Sequence, residues 1–279
     1  MKKRSILGKA PAAPYLVWSV LFIIAPLIFV AYYAFTDKDG NFTPANFGAL
    51  ATAEYAEIFL RSACFAFLAT IICLIVAYPI AYYISRTGPK TQKILMVLVM
   101  LPMWMNFLIR TYSWMAILED TGLLNTALGY IGLGPYHMIN TSGAVILGMV
   151  YNFLPYMVIP LYSVMIKIDN RLIEAAQDLG CNAAHTFRHV VLPLSKPGIV
   201  SGITMTFVPA VSTFVITKLL GGGKDMLIGD VIELLFMGSS KEYNIGAMLS
   251  LLLMVLMIVC MTTMRFVDNQ DDEMEGLMV

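Results

Sequence analysis

Three groups of side chains in this chain of 279 residues have types and spacings that could support chemistry. His185 and His189 stand four apart, so on a helix both rings face one side and could share a metal ion. A third ligand is missing nearby, and solvated histidines are ordinary on a loop helix, so no metal site is expected. Gly221, Gly222, Gly223 and Lys224 share a Gly-Lys pair with phosphate-binding loops. Such a loop also needs a glycine five positions before the pair and Ser or Thr after it. Position 218 is Lys and 225 is Asp, so a turn is expected, and any nucleotide must be bound by another chain. The third group is aromatic and polar: Trp104, Asn106, Tyr112 and Trp114, then Tyr151, Asn152 and Tyr156. Aromatic faces attract ammonium groups, and Asn can accept their hydrogen bonds without burying a charge. Trp and Tyr are also enriched at membrane interfaces, so a structural role stands beside the candidate substrate path.

The elements that would carry these groups follow from composition. Hydrophobic residues make up 59% and charged residues only 13%, with 18 basic against 18 acidic side chains, and the mean hydropathy is +0.76. About a quarter of a soluble chain is charged. The balance excludes a nucleic-acid binder that relies on bulk positive charge and a disordered chain. Cys64, Cys73, Cys181 and Cys260 have no CxxC spacing, so neither a disulfide scaffold nor a zinc site is suggested, and no cofactor is expected.

A helix needs about 20 apolar residues to cross a hydrocarbon core. Six stretches qualify: Tyr15 to Phe35, Ser62 to Ile84, Ile94 to Leu118, Gly143 to Ile166, Gly198 to Thr217 and Ile245 to Met264. They lack the period-2 alternation of barrel strands, so the expected fold is all-α, a polytopic membrane protein with six transmembrane helices. With the N-terminus inside, Lys2, Lys3, Arg4, Lys9, Arg86, Lys90, Lys93, Lys167, Arg171, Arg188, Lys196 and Arg265 are internal. Only Lys38, Arg61, Lys218, Lys224 and Lys241 are then external, which puts both termini in the cytoplasm. A signal peptide is the competing reading of Met1 to Phe35; the long apolar run and the lack of a clear cleavage site argue against it.

No Asp or Glu falls inside any of the six stretches. Ion-coupled carriers usually keep carboxylates there, so a secondary transporter is disfavoured. Arg110 lies 16 residues beyond Ile94, about 24 Å along a straight helix at about 1.5 Å per residue. That reach suits the outer interface, where Glu119 or Asp120 could neutralise it. Pro26, Pro79, Pro102, Pro155, Pro160 and Pro209 lie inside the spans and are expected to kink them.

The longest internal loop, 167–197, reads as helix, turn, helix. Leu172, Ile173, Ala176 and Leu179 fall at helical spacing, Asp169 or Asn170 can cap the start, and Gly180 suits a helix end. A second helix is expected from about Asn182 to Val191, ending before Leu192 and Pro193. Nothing in this hairpin looks catalytic, and its natural partner is another protein.

Glu174-Ala175-Ala176, three residues, Gly180, nine residues, Val190, one residue, then Leu192-Pro193 resembles the EAA loop of inner-membrane permeases from binding-protein-dependent ABC importers. Only Val190 departs from that pattern, which has isoleucine there. Leu101 to Trp114, Tyr151 to Ser163 and Leu219 to Ile232 are similar to strings in the first permease of spermidine/putrescine importers. The resemblance implies a type I ABC importer permease fold with an ATPase-coupling loop of Glu174, Ala175, Ala176, Asp178, Gly180, Leu192 and Pro193. It implies a bacterial inner-membrane protein that is no enzyme itself. Its partners would be a cytoplasmic ATPase dimer that hydrolyses ATP, a second homologous permease, a periplasmic or extracellular substrate-binding protein, a polyamine substrate and membrane lipid. The expected organisation is 1–61 (N-terminal segment, first span and outer loop), 62–265 (permease domain) and 266–279 (acidic tail). Other readings are an importer of another cationic or opine-like solute and, from different classes, an ion-coupled carrier or a structural adaptor.

Charge sorted by side agrees weakly with a cationic substrate. Ten acids, Asp37, Asp39, Glu54, Glu57, Glu119, Asp120, Asp225, Asp230, Glu233 and Glu242, would face outward against five bases. A negative entrance concentrates polycations, although the positive-inside rule alone also produces such a bias.

Overall fold

A computed structural model describes the backbone of residues 13–50, 52–238 and 242–276 and, within these, every side chain except those of 13, 49 and 265–276. Lys2, Lys3, Arg4, Lys9 and Lys241 lie outside the described residues, as do the side chains of Arg265 and of the acidic tail. The chain is built of helices: α1 (Pro14–Ala34), α2 (Ala45–Leu50), α3 (Ala53–Arg86), α4 (Pro89–Trp104), α5 (Phe107–Leu118) and α6 (Leu123–Tyr130). They are followed by α7 (Ser142–Met165), α8 (Asn170–Asp178), α9 (Ala183–Leu194), α10 (Lys196–Val211), α11 (Val215–Leu220), α12 (Ile228–Met237) and α13 (Tyr243–Gly276). Four of them, α1, α3, α7 and the Tyr243–Met264 part of α13, are long and apolar enough to cross a membrane. The pairs Pro89–Trp104 with Phe107–Tyr130 and Ala183–Leu194 with Lys196–Val211, bent by 90° and 65°, raise the number to six if each is one span.

Two compact units form, one from residues up to Ala56 with Val231–Leu256, the other from Glu57–Asp230 with the residues from Met257 on. In the first, carbonyls left free at the end of α1 are satisfied by amide side chains. Asn46 Nδ2 donates to Ala34 O (2.8 Å) and Thr36 O (3.0 Å), and Asn244 Nδ2 donates to Thr36 O (2.6 Å) and Tyr33 O (3.1 Å). The turn that follows is closed by Asp37, whose Oδ1 accepts from the N–H groups of Asp39 and Asn41, both at 2.9 Å.

In the second unit α7 is the central element, because stripes of small residues let its neighbours approach. Gly198, Gly202, Thr206 and Ala210 recur every fourth residue on α10 and are all buried. A β-carbon on Gly198 would lie 3.2 Å from Pro160 O and Leu161 Cα, and one on Gly202 would lie 3.3 Å from Met157 O. On α3 the buried positions include Ser62, Ala66, Thr70, Cys73, Ala77 and Ala81; the last three pack against Met157, Val158, Leu161 and Met165. Lipid gives helices no hydrophobic reason to associate, so close van der Waals packing through small residues has to hold them.

Two predicted spans are not single rods. The stretch Ile94 to Leu118 breaks at Met105 and Asn106, both with extended ψ. Pro102 removes a donor from the last turn of α4, and the Asn106 side chain caps α5 by accepting from Leu108 N and Ile109 N. The straight-helix placement of Arg110 therefore fails: it is only 7% exposed, and Asp120, one proposed partner, bonds His137 at 2.9 Å instead. The stretch Gly198 to Thr217 ends as α10 at Val211, where Ser212 Oγ turns back to Val208 O (3.3 Å) and Pro209 O (3.4 Å). At the other end of the chain, α13 stays helical through 266–276, beyond the apolar part that ends at Met264.

Candidate functional site

The hairpin 167–197 is built as its residue types dictate. Asp169 accepts from Arg171 N (3.0 Å) and starts α8, and Asn182 accepts from His185 N (2.8 Å) and starts α9. Between them Gly180 has φ +86°, a conformation that L side chains resist. Gly180 N–H bonds Gln177 O (2.8 Å) and Cys181 N–H bonds Ala176 O (3.1 Å), the paired bonds of a Schellman terminus. Because the chain reverses there, Leu179 does not continue the apolar face of α8. Ala176 is buried and Ile173 packs against the core, while Leu179 is 86% exposed at the tip. Glu174, Ala175 and Asp178 are exposed beside it.

The second helix does not stop before Leu192 and Pro193 but runs through both to Leu194. Phe187–Val191 forms a π turn in which Leu192 N–H reaches Phe187 O, five residues back. The wider turn makes room for the Pro193 ring, which in a regular α-helix would strike the carbonyl of His189. His185 and His189 stack at 4.4 Å, and His189 Nδ1 lies 3.0 Å from His185 O. The rings thus turn faces, not lone pairs, to each other.

Residue types gave no signal for what holds the hairpin's feet. Arg86, the last residue of α3, donates through Nη1 to Ile168 O (3.0 Å) and to Asn170 Oδ1, and through Nη2 to Met165 O (3.5 Å). Its guanidinium also lies over the Tyr82 ring at 5.4 Å. Two turns earlier, Tyr78 OH meets Ser195 Oγ at 2.7 Å, and its ring meets Phe187 edge to face at 5.4 Å. Ile168 and Val191, one from each foot, are buried in one core with Cys73, Ala77 and Ala81 of α3. In sequence Arg86 reads simply as one more positive-inside residue.

Of the candidate path residues, Trp114 and Tyr151 come together, edge to face at 5.3 Å. Asn152, the next residue in sequence, is 2% exposed; its Nδ2 donates to Gly148 O (2.9 Å), and its Oδ1 is buried without a partner among the described residues. Tyr156 packs on Phe153 at 6.3 Å. Trp104 and Tyr112 are exposed and apart from this group, and Asn106 uses its carboxamide oxygen as the cap of α5.

The acid-rich loops are less open to a ligand than their composition suggests. Asp230 is buried at the start of α12, accepting from Thr217 Oγ1 and Leu227 N, both at 2.8 Å. Asp225 accepts from Ser142 Oγ and lies 3.9 Å from Arg61. Asp37 is tied into its own turn, and backbone hydrogen bonds, that of Asn41 first, hold its carboxyl below the usual range. Local structure therefore occupies several of the ten acids behind the negative-entrance argument.

Residues 69–275 match the family described as "Binding-protein-dependent transport system inner membrane component". The chain belongs to that family. Along 248 residues the permease is 41% identical to "Spermidine/putrescine transport system permease protein PotB" of Haemophilus influenzae, covering 86% of each chain. It is 36% identical over 248 residues to the protein of the same description from Escherichia coli K12, covering 86% of the permease and 90% of that relative. A more distant relative, "Inner membrane ABC transporter permease protein YdcU" of E. coli K12, is 32% identical over 213 residues, covering 70% and 68%. The permease also shares its fold, at a TM-score of 0.81, with a chain of a solved bacterial ABC transporter "involved in the import of the acidic polysaccharide alginate". That match covers 96% of both chains at 19% identity.

Proposed function

We propose that this permease forms part of the membrane path of an ATP-driven importer of polyamines, spermidine and putrescine, working by alternating access. The observation that carries the substrate class is the 41% identity to a spermidine/putrescine permease along 86% of the chain. Its docking element is the 167–197 hairpin, with Glu174, Ala175, Ala176, Asp178, Gly180, Leu192 and Pro193 presented to a cytoplasmic ATPase dimer. The exposed, apolar, rigidly capped tip supports this reading, since a protruding Leu179 suits a groove on a partner. Both termini are cytoplasmic in this arrangement, 62–265 is the permease domain, a second homologous permease completes the path, and a substrate-binding protein delivers the cation. One solved neighbour of the same fold was captured with an "alginate pentasaccharide-bound periplasmic protein".

Trp114, Tyr151 and Asn152 are the path residues this reading favours, because two aromatic faces and an unpaired amide oxygen suit an ammonium group without a buried carboxylate. The deciding experiment is uptake of labelled spermidine and putrescine by vesicles holding the full complex, with and without ATP and the binding protein. ATP-dependent uptake in the wild type is expected, and Gly180→Pro or Glu174→Arg should abolish it while loosening the ATPase. Normal uptake with both changes would sink the docking assignment, and uptake that persists without any ATPase would indicate an ion-coupled carrier.

A further inference from the structure

Resting on the importer reading, we infer that Arg86 and Tyr78 are positioning residues that make α3 the element through which the hairpin's movement enters the membrane. The hairpin is joined covalently to α7 and α10, but its feet are clasped by α3. Arg86 closes on the entry foot with Ile168 O, Asn170 Oδ1 and Met165 O, and Tyr78 closes on the exit foot with Ser195 Oγ and Phe187.

Three features make this clasp a transmission rather than incidental packing. The tip is free and the feet are not: Leu179 is 86% exposed, whereas Ile168, Val191 and Ser195 are buried. A force applied at the tip therefore turns the hairpin about its feet. Secondly, the entry-foot acceptors span the end of α7 and the start of α8, so a single planar guanidinium fixes the angle between the two. An ammonium could reach one of these acceptors but would not reproduce the fork. Thirdly, the exit-foot bond joins Tyr78 to Ser195, the junction between α9 and α10, where the chain bends by 65°. Both hinges of the hairpin are thus held by one helix, two turns apart on α3.

The test uses the complete complex reconstituted in vesicles, with ATP hydrolysed per labelled spermidine imported as the readout and co-purification of the ATPase as the control for assembly. Arg86→Gln should raise that ratio at least several-fold while the ATPase still co-purifies, and Arg86→Lys should restore only part of the coupling. Asn170→Ala, an exposed acceptor whose loss leaves the core untouched, should shift the ratio in the same direction by less. It should add little to Arg86→Gln, because both remove one contact. Tyr78→Phe should raise the ratio through the exit foot alone. Should Arg86→Gln fail to assemble, Asn170→Ala and Tyr78→Phe carry the test. The inference is overturned if the variants that assemble keep the wild-type ratio. If wild-type complexes hydrolyse ATP but import neither polyamine, the substrate assignment falls separately. The clasp is then read from how far the binding protein stimulates hydrolysis, which Arg86→Gln should flatten and whose persistence would overturn it.

Discussion

Helices α1 and α7 are both apolar enough to span a bilayer, and α1 is the more apolar, yet none of α1's most apolar window is buried while 61% of α7's is. In water the ranking would be reversed, because burial follows hydrophobicity. In lipid, hydropathy tells which segments enter the membrane, and a different property decides which of them become core. The core of this permease follows from where backbones can approach. Met157, Leu161 and Met165 of α7 share a core with Cys73, Ala77 and Ala81 of α3, and the same helix meets Gly198 and Gly202 of α10.

The contrast can be broken most directly at Met157. Truncation to Ala at this fully buried site should cost about 2–5 kcal/mol, read as a lowered melting temperature of the purified complex. Gly198→Leu should follow at about 1–3 kcal/mol, since a β-carbon there would already lie 3.1 Å from Val164 Cβ and 3.2 Å from the α7 backbone. Asn152→Leu sharpens the comparison from the other side. Removing a buried oxygen that has no partner among the described residues should leave stability unchanged or raise it by about 1 kcal/mol. Uptake should fall if Asn152 serves the path, so a stable variant with slow transport separates the two roles. The smallest effect belongs to Phe29→Leu on α1, within about 0.5 kcal/mol by the same melting assay. A loss at Phe29 as large as that at Met157 would show that α1 is held by contacts its exposure conceals.

How much of this was legible in the sequence differs from element to element. Apolar length located the membrane segments, and Glu174, Gly180, Leu192 and Pro193 mark the hairpin in the sequence alone. The break after Met105 escaped because an apolar stretch of 25 residues reads the same whether straight or bent by 90°. The local clue was Asn106 shortly after Pro102, the grammar of a helix stop followed by a cap; read as a possible ligand, it hid the bend and with it the burial of Arg110. Arg86 was out of reach for another reason. Two of its three acceptors are backbone carbonyls, which every residue carries, so no side-chain pattern announces them. The four-residue rhythm of Gly198, Gly202, Thr206 and Ala210 was readable, and it is the signal that would have found the core.

That rhythm also bears on where a polyamine can travel. Helices seated as closely as α3, α7 and α10 form a wall, with methionine and leucine as its mortar. In the importer proposed above, a cargo would slide along the face of such a wall, and the passage would be a seam that the proposed second permease closes from the opposite side.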